Sequence, residues 1–268
     1  MHRIVYLERE SIIAHVRRPA LAHEWVEYPA TRPEEVAERL SGATIAIVNK
    51  APLPATVIDV LPQLKMVAVA ATGTNIVDLE ACKARGIVVS NIRGYAEYSV
   101  PEHVLALMLA LSRNLIAWRE SVRAGRWQQS SQFCLFDHPI ADLHGSTLGL
   151  VGSGSLGSGV ARLAEAFGMS VMRAERKGAD SVRPGYHAFA EVLAVSDVLS
   201  LHCPLTPETH ALIGEPELRA MKRSALLINT ARGGLVDESA LIRALKAGWI
   251  AGAGFDVISA EPPPAGHP

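Results

Sequence analysis

Gly152-Ser-Gly154-Ser-Leu-Gly157 follows directly on the apolar run Thr147-Leu-Gly-Leu-Val151 and opens a helix-like stretch. Glycines at that spacing make a phosphate cradle. The first permits a tight strand-to-helix turn, the second lets backbone approach a pyrophosphate, and the third lets the helix pack on the strand. A second apolar run, Met169-Ser-Val-Met-Arg-Ala174, ends in Glu175, eighteen positions after Gly157, where an acid that accepts ribose hydroxyls belongs. A glycine-rich ordinary loop is the alternative. Glu175 would repel a 2′-phosphate and so favours NAD, whereas Arg176 and Lys177 directly behind it leave NADP open.

Two further residues carry reactive chemistry. Arg232, in Thr230-Ala-Arg232-Gly-Gly-Leu-Val-Asp237, follows the apolar run Ala225-Leu-Leu-Ile-Asn229 and so falls at the carboxyl edge of a parallel sheet. A guanidinium there suits a carboxylate or a polarised carbonyl oxygen, with a solvated surface arginine as the other reading. Glu261 lies just past the run that ends in Asp256 and could orient and charge a histidine; as an isolated residue it reads more often as surface.

The elements that must position these groups alternate as βαβ units, in two series. In the first, strands are predicted at Arg3–Leu7, Thr44–Val48, Met66–Ala71 and Ile87–Ser90, with helices at Pro33–Leu40 and Val77–Arg85. Thr31-Arg-Pro-Glu34 reads as a capping box for the first of these helices. Ser99-Val-Pro-Glu102 reads as another, opening one long helix from about Val100 to Ala124. Its stripe of Val100, Val104, Leu107, Met108, Leu111, Leu115, Trp118 and Val122 suits either a connector between domains or a core helix. The second series places strands near Leu148–Val151, Ser170–Ala174, Val198–His202, Ala225–Asn229 and Gly252–Val257, a Rossmann sheet. Its helix Asp237–Gly248 has an acidic first turn and a glycine stop.

Composition narrows the partners. With 268 residues, 49% hydrophobic, the chain can bury one large core or two medium ones. A net charge of −1 offers no field for nucleic acid or an anionic membrane, so a small molecule is expected. Cys82, Cys134 and Cys203 are scattered, without a CxxC pair, which points to a reducing compartment and to neither disulfide framework nor metal site. The N-terminus reads as a strand rather than a signal peptide, and the apolar run Val104–Leu111 is too short to span a bilayer. A cytoplasmic protein is expected.

The chain resembles the D-isomer-specific 2-hydroxyacid dehydrogenases over nearly its whole length. Seven stretches occur in the family's order: Ala71-Thr-Gly-Thr-Asn-Ile-Val-Asp78, Arg85-Gly-Ile-Val-Val-Ser-Asn91, Ser99-Val-Pro-Glu-His103, the glycine turn, His202-Cys-Pro-Leu-Thr206, Asn229 to Asp237, and Gly252-Ala-Gly-Phe-Asp-Val257. The resemblance implies an α/β protein, with a flavodoxin-like substrate domain at residues 1–98 and a Rossmann domain that binds NAD, or NADP, at residues 99–268. It implies hydride transfer between nicotinamide and a small acid such as glycerate, hydroxypyruvate or glyoxylate. By residue, it implies that Arg232 grips the substrate, that Glu261 pairs with the catalytic histidine, and that Asp256 contacts the nicotinamide carboxamide. Gly152, Gly154, Ser155, Leu156, Gly157 and Glu175 would hold the pyrophosphate and ribose, with Pro204, Thr206, Thr230, Ala231 and Arg232 itself beside the cofactor. Lys50, Thr72, Gly73 and Thr74 would meet the substrate, though Lys50 reads more readily as a surface lysine.

In one respect the sequence departs from the family. The family's proton donor is a histidine in a Pro-His pair beyond the Glu-Pro step, and this sequence ends at Pro268. His267 matches a noncatalytic position, and His103, His202 and His210 read as packed or exposed. The expectation is an incomplete copy, without the final strand and the helix that returns to the first domain. That leaves two readings, an oxidoreductase and a nicotinamide-binding module with little turnover. A homodimer is also expected, from the long apolar helix and Trp127.

Overall fold

A computed structural model describes residues 1–267. The chain divides into two compact units, Met1–Tyr95 and the residues from Ala96 onward. In the first, strands β1 (His2–Tyr6), β2 (His23–Glu27), β3 (Ile45–Val48), β4 (Met66–Val69) and β5 (Val88–Asn91) form a parallel sheet in the order β2-β1-β3-β4-β5. That is the flavodoxin-like order. Short helices α1 (Val36–Arg39), α2 (Ala55–Asp59) and α3 (Leu79–Ala84) complete the unit around a core of Val5, Leu7, Leu40, Val48, Leu53 and Val67.

Two local expectations for this unit are corrected. Strand β2 has no apolar run; its Glu24 and Glu27 mark it as a sheet edge, where charge discourages further pairing. The capping box is not made by Thr31, whose hydroxyl donates to the Leu7 carbonyl. The Glu35 carboxylate instead accepts the Arg32 amide at 2.9 Å, at the start of a 3-10 turn over Pro33–Glu35.

The second unit opens with α4 (Ser99–Ser112) and α5 (Leu115–Arg123). The single long helix expected here is broken, with a bend of 54° between the two. Asn114 takes a left-handed conformation, φ 48°, and donates its side-chain amide to the Pro139 carbonyl at 2.5 Å. Asparagine tolerates that region better than other side chains. The buried stripe therefore stops with α4, where Val104 and Met108 are buried, while Leu115 and Ile116 on α5 are exposed. Tyr98, not Ser99, stands at the N-cap of α4, and no side-chain bond caps it. No single helix among the described residues is long and apolar enough to cross a membrane.

The sheet of the second unit contains β6 (Thr147–Val151), β7 (Ser170–Arg173), β8 (Val198–Leu201), β9 (Leu226–Asn229) and β10 (Gly252–Phe255), all parallel, in the order β10-β9-β8-β6-β7. A single parallel bridge, Ala174 to His187, lies beyond β7. It stands where a third strand would complete the Rossmann order, so that strand is reduced to one bridge. Strands β8 and β9 are buried at every position, as central parallel strands covered on both faces must be. Helices α4 and α6 (Ser155–Ala166) lie over one core, and α7 (Phe189–Val195), α8 (Glu215–Ala220) and α9 (Glu238–Ala247) over the other. Helix α9 ends at left-handed Gly248 as expected, and Asp237 proves to be its N-cap, with its carboxylate accepting the Ala240 amide.

Candidate active site

The strand order reverses between β6 and β8, and the glycine turn sits at that reversal. Gly152 adopts φ +98°, and a Cβ there would meet the backbone of His202 and Cys203 at 2.6 Å. At Gly157 a Cβ would meet the Gly152 carbonyl oxygen at 2.2 Å, so only glycine lets α6 pack back on its own turn. Gly154 differs, because no atom lies within 4 Å of where its Cβ would be. It is the N-cap of α6 and makes no side-chain cap, so no side chain serves the first amides of the helix, at Ser155, Leu156 and Gly157. Open space in front of uncapped amides at the positive end of a twelve-residue helix fits a pyrophosphate.

His202 follows β8 and supports the turn from below, its Nε2 2.9 Å from the Ser200 hydroxyl. Desolvation lowers its pKa from 6.5 to about 4, so it is neutral near pH 7. Beyond it Thr209 braces the loop, donating to the Pro204 carbonyl and accepting from the Thr206 amide, both at 2.7 Å.

Arg232 follows β9 in a turn built by Asn229. The wholly buried Asn229 side chain donates to the Arg232 carbonyl at 2.9 Å and accepts the Ala231 amide at 3.1 Å. The Arg232 side chain is exposed at the carboxyl edge of the sheet, anchored at 2.7 Å on the Ala231 carbonyl. Nearby, the Thr230 hydroxyl is buried without a hydrogen-bond partner among the described residues. A Cβ on Gly233 would overlap the Ile258 backbone at 2.0 Å, so the turn of Arg232 and the segment leading to Glu261 are in contact. The Glu261 carboxylate accepts the Ile258 amide at 3.2 Å, and Glu238 holds the Ser259 amide at 2.6 Å. Among the described residues no histidine lies within ion-pair distance of Glu261; His267 Nε2 is 3.3 Å from Glu238. Asp256 is exposed after β10, with His103 Nε2 3.6 Å away.

In the first unit, Lys50 and the Thr72–Thr74 loop follow β3 and β4 at the carboxyl edge of that sheet. Thr72 donates its hydroxyl to the Ile92 carbonyl at 2.9 Å and accepts the Asn91 side-chain amide at 2.7 Å. The exposed Lys50 is placed through its backbone. One oxygen of the buried Glu8 carboxylate accepts the amides of Asn49, Lys50 and Ala51, each at 2.8 Å.

Glu175 lies at the end of β7, as expected of a ribose acid, but its carboxylate is already occupied. Arg183 donates Nε at 2.6 Å and Nη2 at 2.8 Å, and the Arg176 and Arg183 amides add bonds at 2.9 and 3.2 Å. These bonds, Arg183 first, hold its pKa down at about 2. Arg183 and Glu8, which hold Glu175 and the Lys50 loop, are not found by motif reading, whereas Asn229 stood in the motif of the arginine turn without a role assigned to it.

Residues 105–268 match the model for the NAD-binding domain of D-isomer-specific 2-hydroxyacid dehydrogenases. The chain belongs to that family. Glycerate dehydrogenase of Methylorubrum extorquens is 53% identical over 266 residues, covering 99% of this chain and 83% of that protein. Among solved structures, the TT0316 protein of Thermus thermophilus superposes with a TM-score of 0.83 at 37% identity, covering 99% of this chain and 85% of the other. An acyclic imino acid reductase, Bsp5, solved with NADPH and D-Arg, gives 0.81 at 29% identity, covering 96% and 83%. The chain is an NAD(P)-dependent oxidoreductase that transfers hydride on small 2-hydroxyacids, and the residues of the glycine turn fit the dinucleotide.

Proposed function

We propose that this dehydrogenase interconverts glycerate and hydroxypyruvate, with glyoxylate as a smaller alternative, and that Arg232 grips the acid. The observation that carries the reading is the placement of Arg232. An exposed guanidinium stands at the carboxyl edge of a dinucleotide-type sheet, on a turn that a buried asparagine prevents from collapsing. The 53% identity to a glycerate dehydrogenase supports the choice of acid.

When bound, the nicotinamide supplies or accepts the hydride. The protein groups orient and charge the rest. Arg232 pairs with the carboxylate and draws charge onto the oxygen of the 2-oxo group. Gly152, Gly154, Ser155, Leu156 and Gly157 seat the pyrophosphate. Asp256 takes the carboxamide, while Pro204, Thr206, Thr230 and Ala231 border the cofactor. Lys50, Thr72, Gly73 and Thr74 belong to the substrate side, with residues 1–98 as the substrate domain and residues 99–268 as the cofactor domain. Glu261 is the acid that would raise the pKa of a proton-donating histidine, a part that no histidine among the described residues is placed to take.

The assay is NADH or NADPH oxidation with hydroxypyruvate and with glyoxylate. Arg232→Ala should lower kcat/KM about a hundredfold or more, since two charge-assisted bonds are lost, while the dissociation constant of the nucleotide stays within about twofold. An unchanged kcat/KM would remove Arg232 from the substrate site.

We further propose a homodimer in the cytoplasm. Trp127, Phe133, Phe136 and Ile140 crowd one segment with apolar surface left exposed, Phe133 at 89% and Phe136 at 87%. A monomeric mass by light scattering would refute the dimer.

A further inference from the structure

Glu175 has no acceptor position left for a ribose. A carboxylate offers about four lone-pair sites. Here Oε1 accepts the Arg176 amide and Arg183 Nη2, and Oε2 accepts the Arg183 amide and Arg183 Nε. The Glu175 side chain is 5% exposed and that of Arg183 54%, so the pair presents its cationic partner outward and its acid inward.

Arg183 is itself held in place. Its guanidinium lies 4.0 Å from the centre of the Tyr186 ring, and the Tyr186 hydroxyl is hydrogen-bonded to the hydroxyl of Ser153, within the glycine turn. The segment from Arg183 to His187 therefore runs from the ribose acid to the phosphate cradle, pinned by the bridge of His187 to Ala174. Of the two cations behind Glu175, Lys177 is committed to Glu217 at 2.8 Å. Arg176 is exposed, and its side chain has no ion pair among the described residues.

We infer that Arg183 sets cofactor choice: by occupying Glu175 it removes both the acceptor for a free 2′-hydroxyl and the repulsion of a 2′-phosphate, so that the adenosine end favours NADPH. The 2′-phosphate would meet Arg183 and Arg176, two guanidinium groups suited to phosphate oxygens. A 2′,3′-diol must instead displace Arg183 before Glu175 can accept it. This rests on the dinucleotide reading of the glycine turn.

Binding to the apoprotein, followed by calorimetry with NADPH, NADH, adenosine 2′,5′-bisphosphate and 5′-AMP, tests it without turnover. The wild-type chain is expected to bind NADPH more tightly than NADH, and the bisphosphate more tightly than 5′-AMP. Arg183→Ala should free Glu175 and shift the NADPH-to-NADH affinity ratio about tenfold or more toward NADH, one charge-assisted contact's worth. Arg176→Ala should weaken NADPH and leave NADH within about twofold. In Glu175→Gln, which keeps the shape and removes the acid, Arg183→Ala should no longer improve NADH binding. NADH binding with a ratio unmoved by Arg183→Ala overturns the role of Arg183 and leaves the dinucleotide site standing. Failure of both nucleotides to bind overturns the dinucleotide reading and this inference with it.

Discussion

His202 shows how one residue can link the cofactor cradle to solvent pH. Desolvation depresses its pKa from 6.5 to about 4, so the folded state resists a proton that the unfolded chain accepts. Stability is therefore full above about pH 6.5 and is lost as pH falls toward 4, by about 3 kcal/mol over the whole window. Urea unfolding at pH 7 and at pH 5 should show His202→Gln losing about 2 kcal/mol less than wild type between the two; equal losses would show that this imidazole is not the titrating group. The window for Glu175 lies lower. Its folded pKa of about 2 makes its contribution present above about 4.5 and lost as pH falls through 2. Residue by residue, the glycines stood out in the sequence because their spacing lies within one turn, and Glu175 and Arg232 because each follows an apolar run that reads as a strand. Glu8 did not, because the amides it holds are 41 to 43 positions away, and Arg183 did not, because its partner is set by the path of an irregular segment.

At the scale of elements, the glycine turn separates packing from binding. Gly157→Ala would press a methyl into the rigid backbone carbonyl of Gly152 at 2.2 Å, and should cost about 1–3 kcal/mol of stability as well as weakening nucleotide binding. Gly154→Ala meets nothing within 4 Å, so stability should stay within about 0.5 kcal/mol while the nucleotide affinity falls, because the methyl fills space facing the uncapped amides. If thermal unfolding moved equally for both variants, the distinction between the two glycines would fail. Strands were legible as apolar runs wherever they are covered on both faces, as β8 and β9 are. The edge strand β2 and the single bridge at His187 were not, since pairing on one side needs no apolar run. The break at Asn114 was hidden for a related reason. Its side chain is satisfied by Pro139, far along the chain, and the apolar spacing continues through the bend as though the helix did.

Across the whole molecule, the first unit has a core of its own, built from Val5, Leu40, Val48 and Val67, and the second packs Val104, Leu150, Leu199 and Ile228 on the two faces of a separate sheet. Chains with separate cores need not unfold in one step. The two structural acids divide accordingly, with Glu8 bonded only within the first unit and Glu175 only within the second. Trp25 lies in the first unit, whereas Trp118, Trp127 and Trp249 lie in the second, so single-tryptophan variants can report each core separately. Glu8→Ala strips three amides of a charged acceptor and should destabilise the first unit by about 2–3 kcal/mol. In urea the Trp25 midpoint should fall by that free energy divided by the m value of the first unit, while the Trp249 signal holds its midpoint. Saturating nucleotide should do the reverse, stabilising the second unit by RT ln(1 + [L]/Kd), which raises the Trp249 midpoint and leaves Trp25 in place. Parallel shifts of both signals in either experiment would mean that the two units unfold as one cooperative body and that the β3 loop carrying Lys50 is no more independent of the cofactor sheet than its own strands are.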